Sequence, residues 1–558
     1  MPERSFEPDR DRLMAHIGEF ARRVKLSGTP QERESFAYLQ RQMASYGYET
    51  RLIEHDAYIS LPGEARLKVD GGDIRCITHS MSASSPAGGL TAEVVYGGDG
   101  GPADFARLDA RERIVLVDGI ATEEVAAQAR DHGAAGLIHV SPNELLYEMC
   151  VSPVWGSPSQ LTRDQLPAAV ICTIAAEAGA ALRERCKSGE TVSATMWASV
   201  DTGWRKTPIL VAELDAVDTT DAERPFVLFS GHHDTWHFGV MDNGGANATM
   251  LEAARLLAEG RGRWRRGLRL CFWSGHSHGR YSGSAWYADE YWDELDRRCV
   301  AHVNVDSTGG EGADILTNSA VIDELKALAA EAVLAETGQV HAGRRHGRAA
   351  DQSFWGVGLP SMFGSLSHQP PGPIRMPTAL GWWWHTPQDT AEHIDPANLV
   401  RDTRIVLRVL DRLLTDEVLP LDYGATAASL QRELERIGTD LAGRFDVTPL
   451  IAEAQRFGEL AEAVRVQAAS ATGAEAHAIN RALMRVSRLL VPLNYTQGNR
   501  FAHDSALPHA PWPSLDGLRA LAAAEAGEDA LFHAVHARQC RNLAAYALRE
   551  AKAALAAL

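Results

Sequence analysis

Four short segments of this 558-residue chain place histidine, aspartate and asparagine side chains next to apolar runs. They are residues 229–236, 239–247, 302–307 and 384–390. Imidazole nitrogens and carboxylate oxygens suit zinc and similar divalent cations. Two histidines and two aspartates from these segments could hold two metal ions about 3.5–4 Å apart if one carboxylate bridges them. Such a metal pair activates water and polarises a carbonyl group, so the segments predict hydrolytic chemistry.

The first two segments also contain residues that would support the metal ligands or form a turn. Asp234 lies two residues after His232 and could orient that imidazole, as a metal-bound histidine usually requires. The run Asp242-Asn243-Gly244-Gly245 would by itself be typical of a turn. All four segments in this order and spacing favour one shared site over four unrelated polar loops.

The elements that must position these residues lie between residues 207 and 420, where apolar runs alternate with amphipathic segments. Strands are predicted at 209–212, 227–229, 268–273, 300–305 and 359–363, and helices at 247–258, 285–297, 320–335 and 396–414. This alternation is typical of a parallel sheet that is buried on both faces by helices. The carboxyl ends of parallel strands converge on one crevice, where the polar segments are expected to meet.

The remainder of the chain has two different characters. Residues 10–45 predict two helices, followed by a strand at 49–53. Residues 59–206 alternate short β-type runs with Gly, Pro and Ser turns, and they include Ile-Val-Leu-Val at 114–117, a helix at 123–132 and Gly-Ala-Ala-Gly-Leu-Ile at 133–138. Residues 421–558 are rich in Ala and Leu with long amphipathic periods, which predicts a helical domain.

Composition and charge exclude several classes of partner. The chain is 45% hydrophobic and carries a formal net charge of −18 without a basic cluster, so nucleic acid is not an expected partner. No apolar run approaches the roughly 18 residues of a membrane span, and the first ten residues are charged, unlike a secretory signal. Seven scattered cysteines without a Cys-x-x-Cys pair favour reduced thiols and a cytoplasmic location.

The four segments resemble the aminopeptidase-like zinc peptidases, in the branch of glutamate carboxypeptidase and the transferrin receptor. The family's G-H-x-D-S/T-W…G-x-D, N-x-D and H-T/S-x-x-D-T patterns match residues 231–242, 304–306 and 385–390. The resemblance implies that His232 and Asp306 bind one metal ion, that His385 binds the other and that Asp242 bridges them. The metal it implies is zinc, as one or two ions.

The resemblance covers nearly the whole chain and implies its fold and domains. The expected fold is α/β, with a doubly wound, mostly parallel sheet, an inserted β-rich protease-associated domain and a C-terminal helical domain. The metallopeptidase-like domain would comprise residues 1–58 and 207–420, the protease-associated domain 59–206 and the helical domain 421–558. The last of these resembles the family's dimerisation region and implies a homodimer.

One segment departs from the family pattern. The family has adjacent glutamates in W-D-A-E-E-x-G-L-x-G-S, where the first is the general base and the second a metal ligand. Residues 273–284 read Trp-Ser-Gly-His-Ser-His-Gly-Arg-Tyr-Ser-Gly-Ser, one residue longer and without either carboxylate. Alignment from Trp273 gives His276 as base and Ser277 as ligand, whereas alignment from Ser284 gives Ser277 as base and His278 as ligand.

The leading hypothesis is a metal-dependent hydrolase of an amide C–N bond that acts on a small or peptide-like substrate. His276, Ser277 and His278 are the catalytic candidates, because a neutral imidazole can bind metal or serve as general base. Trp384, Asp351 and Tyr281 are the candidate substrate contacts. The alternatives are an inactive binding or scaffold protein on a peptidase fold, and a metal-dependent lyase that uses the same residues.

Overall fold

A computed structural model describes residues 6–217, 223–371 and 379–558. Its strands form a single twelve-stranded sheet. In chain order they are β1 Glu49–Val69, β2 Gly72–Ile74, β3 Cys76–Thr78, β4 Leu90–Tyr96, β5 Ile114–Asp118, β6 Gly136–Val140, β7 Val170–Ile174, β8 Val192–Leu214, β9 Phe226–His232, β10 Gly267–Trp273, β11 Cys299–Asp306 and β12 Ser361–Ser365.

Helices cover both faces of the sheet in its metallopeptidase-like part and form the whole C-terminal region. In chain order they are α1 Arg10–Phe20, α2 Pro30–Ser45, α3 Pro102–Phe105, α4 Glu123–Asp131, α5 Ala176–Lys187, α6 Ala246–Glu259, α7 His276–Gly279, α8 Ser282–Glu290, α9 Trp292–Arg298, α10 Lys326–Thr337, α11 Pro396–Thr415, α12 Tyr423–Leu441, α13 Thr448–Ala468, α14 Gly473–Tyr495, α15 Asp516–Ala523 and α16 Glu528–Ala556. A π-helical turn, Val240–Gly245, precedes α6.

The sheet order explains why the site residues meet. Strands β12, β11, β9 and β10 are neighbours and run parallel, and β10 pairs antiparallel with β8. Side chains of β10 alternate between the two faces: Leu270 and Phe272 pack with α6 and α11, whereas Cys271 and Trp273 pack with α8 and α9. The predicted α/β fold with a mostly parallel sheet is confirmed, and the carboxyl ends of β9 and β11 lie side by side.

Two predicted helices differ from the observed ones. The predicted helix at 285–297 is divided into α8 and α9 at Tyr291, whose φ and ψ of −105° and 21° leave the helical region. The predicted helix at 320–335 begins only at Lys326, because Ala320 and Val321 instead form isolated β-bridges. Apolar spacing alone did not distinguish these segments from a continuous helix.

The predicted module at 59–206 is joined to the rest of the sheet by two long strands. β1 and β8 pair antiparallel over most of their length, and the predicted boundaries at 58/59 and 206/207 fall inside them rather than in loops. Strands β4, β5, β6 and β7 run parallel to one another beyond this ribbon, with α4 and α5 packed against them. The domain division stays a prediction.

Candidate metal centre

The ends of two neighbouring strands and the π-helical turn bring His232, Asp242 and Asp306 together. The Nε2 atom of His232 lies 3.1 Å from Oδ1 of Asp242 and 3.7 Å from Oδ1 of Asp306. The other carboxylate oxygen of Asp242 lies 3.1 Å from Nε2 of His385. All four predicted metal ligands therefore form one buried cluster, with Asp242 between the two histidines.

Main-chain carbonyl groups orient both histidines. Nδ1 of His232 donates to the carbonyl oxygen of Asp234 at 2.9 Å, and Nδ1 of His385 donates to that of Glu148 at 2.6 Å. A carbonyl oxygen only accepts, so each Nδ1 carries a proton and each Nε2 is directed at Asp242, where it can bind a proton or a metal ion. Asp234 thus supports His232 through its main chain, while its carboxylate oxygen is 3.8 Å from that ring.

Asp389 fixes the turn that carries Asp242, a function that the sequence did not reveal. Its carboxylate accepts hydrogen bonds from the main-chain N–H groups of Met241 at 2.8 Å and Asp242 at 3.0 Å. Burial raises the pKa of Asp389 to about 7. The aspartate of the H-T-x-x-D-T pattern was the available signal for this residue, which couples the second and fourth sequence segments.

The electrostatics of the cluster favour a bound cation. Burial would raise the pKa of Asp242, but His232 and His385 hold it well below its usual value. Burial would lower the pKa of His232, yet Asp242 and Asp306 raise it well above the ordinary value. Burial lowers the pKa of His385 despite the opposing effect of Asp242.

The same residues fit a divalent metal ion. Within the described part of the chain, the buried Nε2 of His232 and Oδ1 of Asp242 have no hydrogen-bond partner. These two atoms lie 3.1 Å apart and need a proton or a metal cation between them, and leaving buried polar atoms unpaired costs about 1–3 kcal/mol each. A cation that accepts both lone pairs removes that cost, and the donor set of imidazole and carboxylate is the one that zinc prefers.

His276 faces this cluster from the segment that departs from the family pattern. Its ring stacks on that of His232, with centroids 3.7 Å apart and planes inclined by 13°. One ligand atom from each of His232, His276 and Asp306 can be chosen so that all three lie within 4.8 Å of one another. The Nδ1 atom of His276 is 2.7 Å from Oδ2 of Asp351.

Asp351 is buried and uses both carboxylate oxygens inside the protein. Its second oxygen accepts a hydrogen bond from Oγ of Ser284 at 2.7 Å. Burial would raise the pKa of Asp351, but His276 and Ser284 keep it below its usual value, so the carboxylate is ionised and acts as an acceptor. Nδ1 of His276 therefore carries the proton and Nε2 has the free lone pair.

Ser277 and His278 occupy different surroundings. His278 is fully buried, its Nδ1 is 2.9 Å from Oγ of Ser27, and burial lowers its pKa to about 4. Ser27 in turn donates to the carboxylate of Asp234, which also accepts the main-chain N–H groups of His276 and Ser277. Oγ of Ser277 is buried and has no hydrogen-bond partner in the described residues.

Two of the candidate substrate contacts border the cluster. The Trp384 ring stacks on His385 with centroids 3.5 Å apart, and the Tyr281 ring meets His276 edge-on at 4.8 Å. Both aromatic side chains are buried, at 8% and 7% exposure. Asp351 instead lies behind His276, where its contacts are with protein groups.

Comparison with known proteins finds one peptidase family whose model matches part of this chain. Residues 210–410 match the model of peptidase family M28. A probable glutamate carboxypeptidase of Zea mays is 24% identical over 496 residues, covering 74% of this chain and 68% of its own length. A second one, from Arabidopsis thaliana, is 22% identical and covers 94% of this chain and 86% of its own length.

Solved structures of two aminopeptidases have folds similar to that of this chain. The aminopeptidase of Aneurinibacillus sp. strain AM-1 is 23% identical with a TM-score of 0.57, and the similarity covers 73% of this chain and 94% of that protein. The zinc aminopeptidase of Bacillus subtilis is 20% identical with a TM-score of 0.57, covering 74% and 97%. The predicted resemblance to zinc peptidases is confirmed by the family match, and the solved structures share the fold. The expected divalent metal agrees with the family match and with the group of His232, His276 and Asp306, whose ligand atoms could hold a metal ion.

Among the residues that the structure describes, no helix is both long and apolar enough to cross a bilayer.

Proposed function

We propose that this chain, whose residues 210–410 match peptidase family M28, is a metal-dependent hydrolase of amide C–N bonds with a histidine in place of the family's glutamate base. The observation that carries the proposal is the Asp351–His276 pair, which holds the His276 ring beside the cluster of His232 and Asp306 and leaves Nε2 of His276 outside the contact with Asp351. The charge of that cluster and the unpaired atoms in it support the metal.

The geometry supports the alignment that is anchored at Trp273. In that alignment His276 takes the position of the base and Ser277 that of the second metal ligand. His276 lies against the metal cluster, whereas His278 is held by Ser27 on the far side of the Asp234 carboxylate. The extra residue of the segment then falls after Ser277.

The stacked rings favour His276 as a base over His276 as a ligand. An imidazole binds metal along its lone pair, in the plane of the ring, at about 2.0–2.1 Å. The rings of His232 and His276 are inclined by only 13° and separated by 3.7 Å, so their lone pairs lie in two nearly parallel planes and do not converge on one point. His232 would therefore bind the metal, and Nε2 of His276 would be available as a base.

In the proposed reaction, some of these residues would bind the metal and others would transfer the proton. His232, Asp242 and Asp306 would hold the metal, with His385 as the ligand available to a second ion. The bound metal would polarise the substrate carbonyl and acidify water. Nε2 of His276 takes a proton from the attacking water as the water oxygen joins the carbonyl carbon, and Asp351 stabilises the imidazolium. His276 then gives the proton to the departing nitrogen as the C–N bond breaks.

The surroundings of the cluster support a small or peptide-like amide with an aromatic portion. Trp384 and Tyr281 put aromatic rings directly beside His385 and His276. Flat rings offer a stacking surface to an aromatic acyl group or amine. Loss of the glutamate pair makes ordinary peptides a less suitable substrate than this class.

Hydrolysis in labelled water tests the proposal. We expect protein purified without added metal to cleave aryl amides or aminoacyl anilides, to lose this activity with a chelator and to regain it with zinc. In H₂¹⁸O the carboxylate product should gain one solvent oxygen. Turnover without that label would indicate the lyase alternative, and metal-replete protein with no turnover on amides would favour the non-catalytic alternative.

The proposal extends to the inserted module and to assembly. Residues 59–206 would be a protease-associated domain, and the helical region 421–558 would form a homodimer contact. Support comes from helix α16, where large apolar side chains are exposed at 49–69%: Leu531, Phe532, Val535 and Tyr546. An exposed apolar stripe of this kind is typical of an interface.

Sedimentation analysis tests the assembly. We expect wild-type protein to sediment as a dimer, and the Phe532→Glu, Val535→Glu double variant to be monomeric, because burying an unpaired carboxylate costs several kcal/mol. Leu161→Glu is the matched control, since Leu161 is 89% exposed but lies in the 59–206 region. A monomeric wild type, or a double variant that stays dimeric, would contradict a contact through α16.

A further inference from the structure

One segment of the 59–206 region, residues 147–156, contacts the proposed site from two directions. On one side it pairs with His385 through main-chain groups. The N–H of Glu148 donates to the carbonyl of His385 at 3.1 Å, and Nδ1 of His385 donates to the carbonyl of Glu148 at 2.6 Å. These two hydrogen bonds fix both the backbone and the ring of His385.

On the other side the same segment binds Arg280, which follows the His276 helix. The Arg280 guanidinium is buried, donates from Nε to the carbonyl of Ser152 at 2.9 Å, and also bonds the carbonyl of Cys150 and the carboxylate of Glu123. The N–H of Gly156 donates back to the carbonyl of Arg280 at 2.6 Å. Arg280 is therefore bound through both its side chain and its main chain.

The contacts of Arg280 are transmitted to His276 through Tyr281. The Tyr281 ring lies 4.4 Å from Trp155 of the segment and 4.8 Å from His276. Arg280 and Tyr281 both have positive φ, 45° and 68°, a backbone conformation that residues other than glycine rarely adopt. This backbone conformation therefore needs stabilising contacts, and the hydrogen bonds of Arg280 supply the polar ones.

Trp155 also reaches the support of His276 from behind. Its Nε1 donates to Oγ of Ser353 at 2.9 Å, and Oγ of Ser353 is 2.9 Å from Oγ of Ser284. Ser284 in turn donates to Asp351, the carboxylate that holds His276. A continuous line of hydrogen bonds thus runs from the segment to the proposed base.

We infer that residues 147–156 position His276 and His385. Arg280 is the positioning residue that holds the His276 segment against residues 147–156. The inference rests on the proposed function for its effect on turnover, but not for its structural content. None of the hydrogen bonds described for Arg280 involves His232, Asp242 or Asp306. Loss of its guanidinium should therefore misplace the base while leaving metal binding intact.

Arg280→Ala tests the inference, with Arg266→Ala as the matched control. Arg266 is also buried and donates to three main-chain carbonyls, where Arg280 donates to two carbonyls and a carboxylate, but Arg266 precedes β10 at the opposite end of the strand from Trp273. We expect kcat of Arg280→Ala to fall by about 10²-fold, as a misplacement of 1 Å can cause, with little change in KM or metal content. Free guanidinium should restore part of the loss, and Arg280→Lys should not, because lysine lacks the planar set of donors.

Amide hydrogen exchange on the same variants separates this inference from the proposed function. Arg280→Ala should lose protection at residues 276–281 and 147–156, and Arg266→Ala should not. If exchange changes in this way but the wild-type protein has no hydrolase activity, the proposed function is contradicted and the positioning role of Arg280 is still supported. Unchanged exchange in Arg280→Ala, or a kcat within threefold of that of Arg266→Ala in an active enzyme, would overturn the positioning.

Discussion

Replacement of His276 by glutamine should lower kcat by about 10²–10⁴-fold, the range that a positioned general base contributes, without reducing metal content. Glutamine keeps a side chain of comparable reach but has no group that can take a proton from water. Metal should be retained because His232, Asp242 and Asp306 supply the binding atoms. Steady-state kinetics and elemental analysis of the same preparation measure both quantities.

Replacement of Asp351 by asparagine should also lower kcat, because the amide no longer stabilises the His276 imidazolium and can force the wrong tautomer of the ring. His278→Gln is the matched control: it changes a buried histidine in the same short helix that contacts Ser27 instead of the metal cluster. We expect that control to affect the free energy of unfolding more than kcat. If His276→Gln loses metal in proportion to activity, His276 is a ligand and the assignment as base is wrong.

The clustering of the predicted metal ligands could be anticipated from the sequence because local patterns carry these residues. His232 and Asp306 each end a strand of the parallel sheet, and strands of this kind are visible as short apolar runs. Parallel neighbours bring their carboxyl ends together, so the meeting of these residues follows from the order of elements. The family resemblance then assigned the individual residues within the four segments: His232, Asp242, Asp306 and His385.

The support of the histidines could not be predicted, because it comes from residues far away in the chain. Asp351 is 75 positions after His276, and Glu148 is 237 positions before His385. Neither contact leaves a periodic signal, and the contact of Glu148 uses only main-chain atoms, which any residue could provide. Asp351 was predicted as a candidate substrate contact, whereas its observed partners are His276 and Ser284.

The choice between His276 and His278 also required the structure. The sequence allowed two alignments because the segment has one additional residue, and apolar periodicity does not place an insertion. Left-handed backbone at Arg280 and Tyr281 accommodates the longer connection between α7 and α8. The Ser27 hydroxyl, which contacts Nδ1 of His278, and the stacking of His276 on His232 support His276 as the residue beside the metal cluster.

Metal content should be about one equivalent per chain in wild-type protein, and Ser277→Glu should raise it towards two. Catalytic zinc sites use three protein ligands, which His232, Asp242 and Asp306 can supply at the first position. At the second position only Asp242 and His385 remain, and Ser277 is a poor ligand in place of a carboxylate. A glutamate at residue 277 would restore both the missing ligand and its negative charge, at a position where the serine Oγ has no hydrogen-bond partner among the described residues.

Ser277→Gln is the control that isolates the charge, because it adds the same volume without a carboxylate and should stay near one equivalent. His232→Ala should lose the metal, whereas His385→Ala should retain about one equivalent, since His385 faces only the outer oxygen of Asp242. Two equivalents in the wild type would mean that His385 and an unassigned group complete the second position. One equivalent in Ser277→Glu would place the missing ligand elsewhere and reopen the alignment of residues 273–284, because a carboxylate at the true ligand position would restore the second metal site.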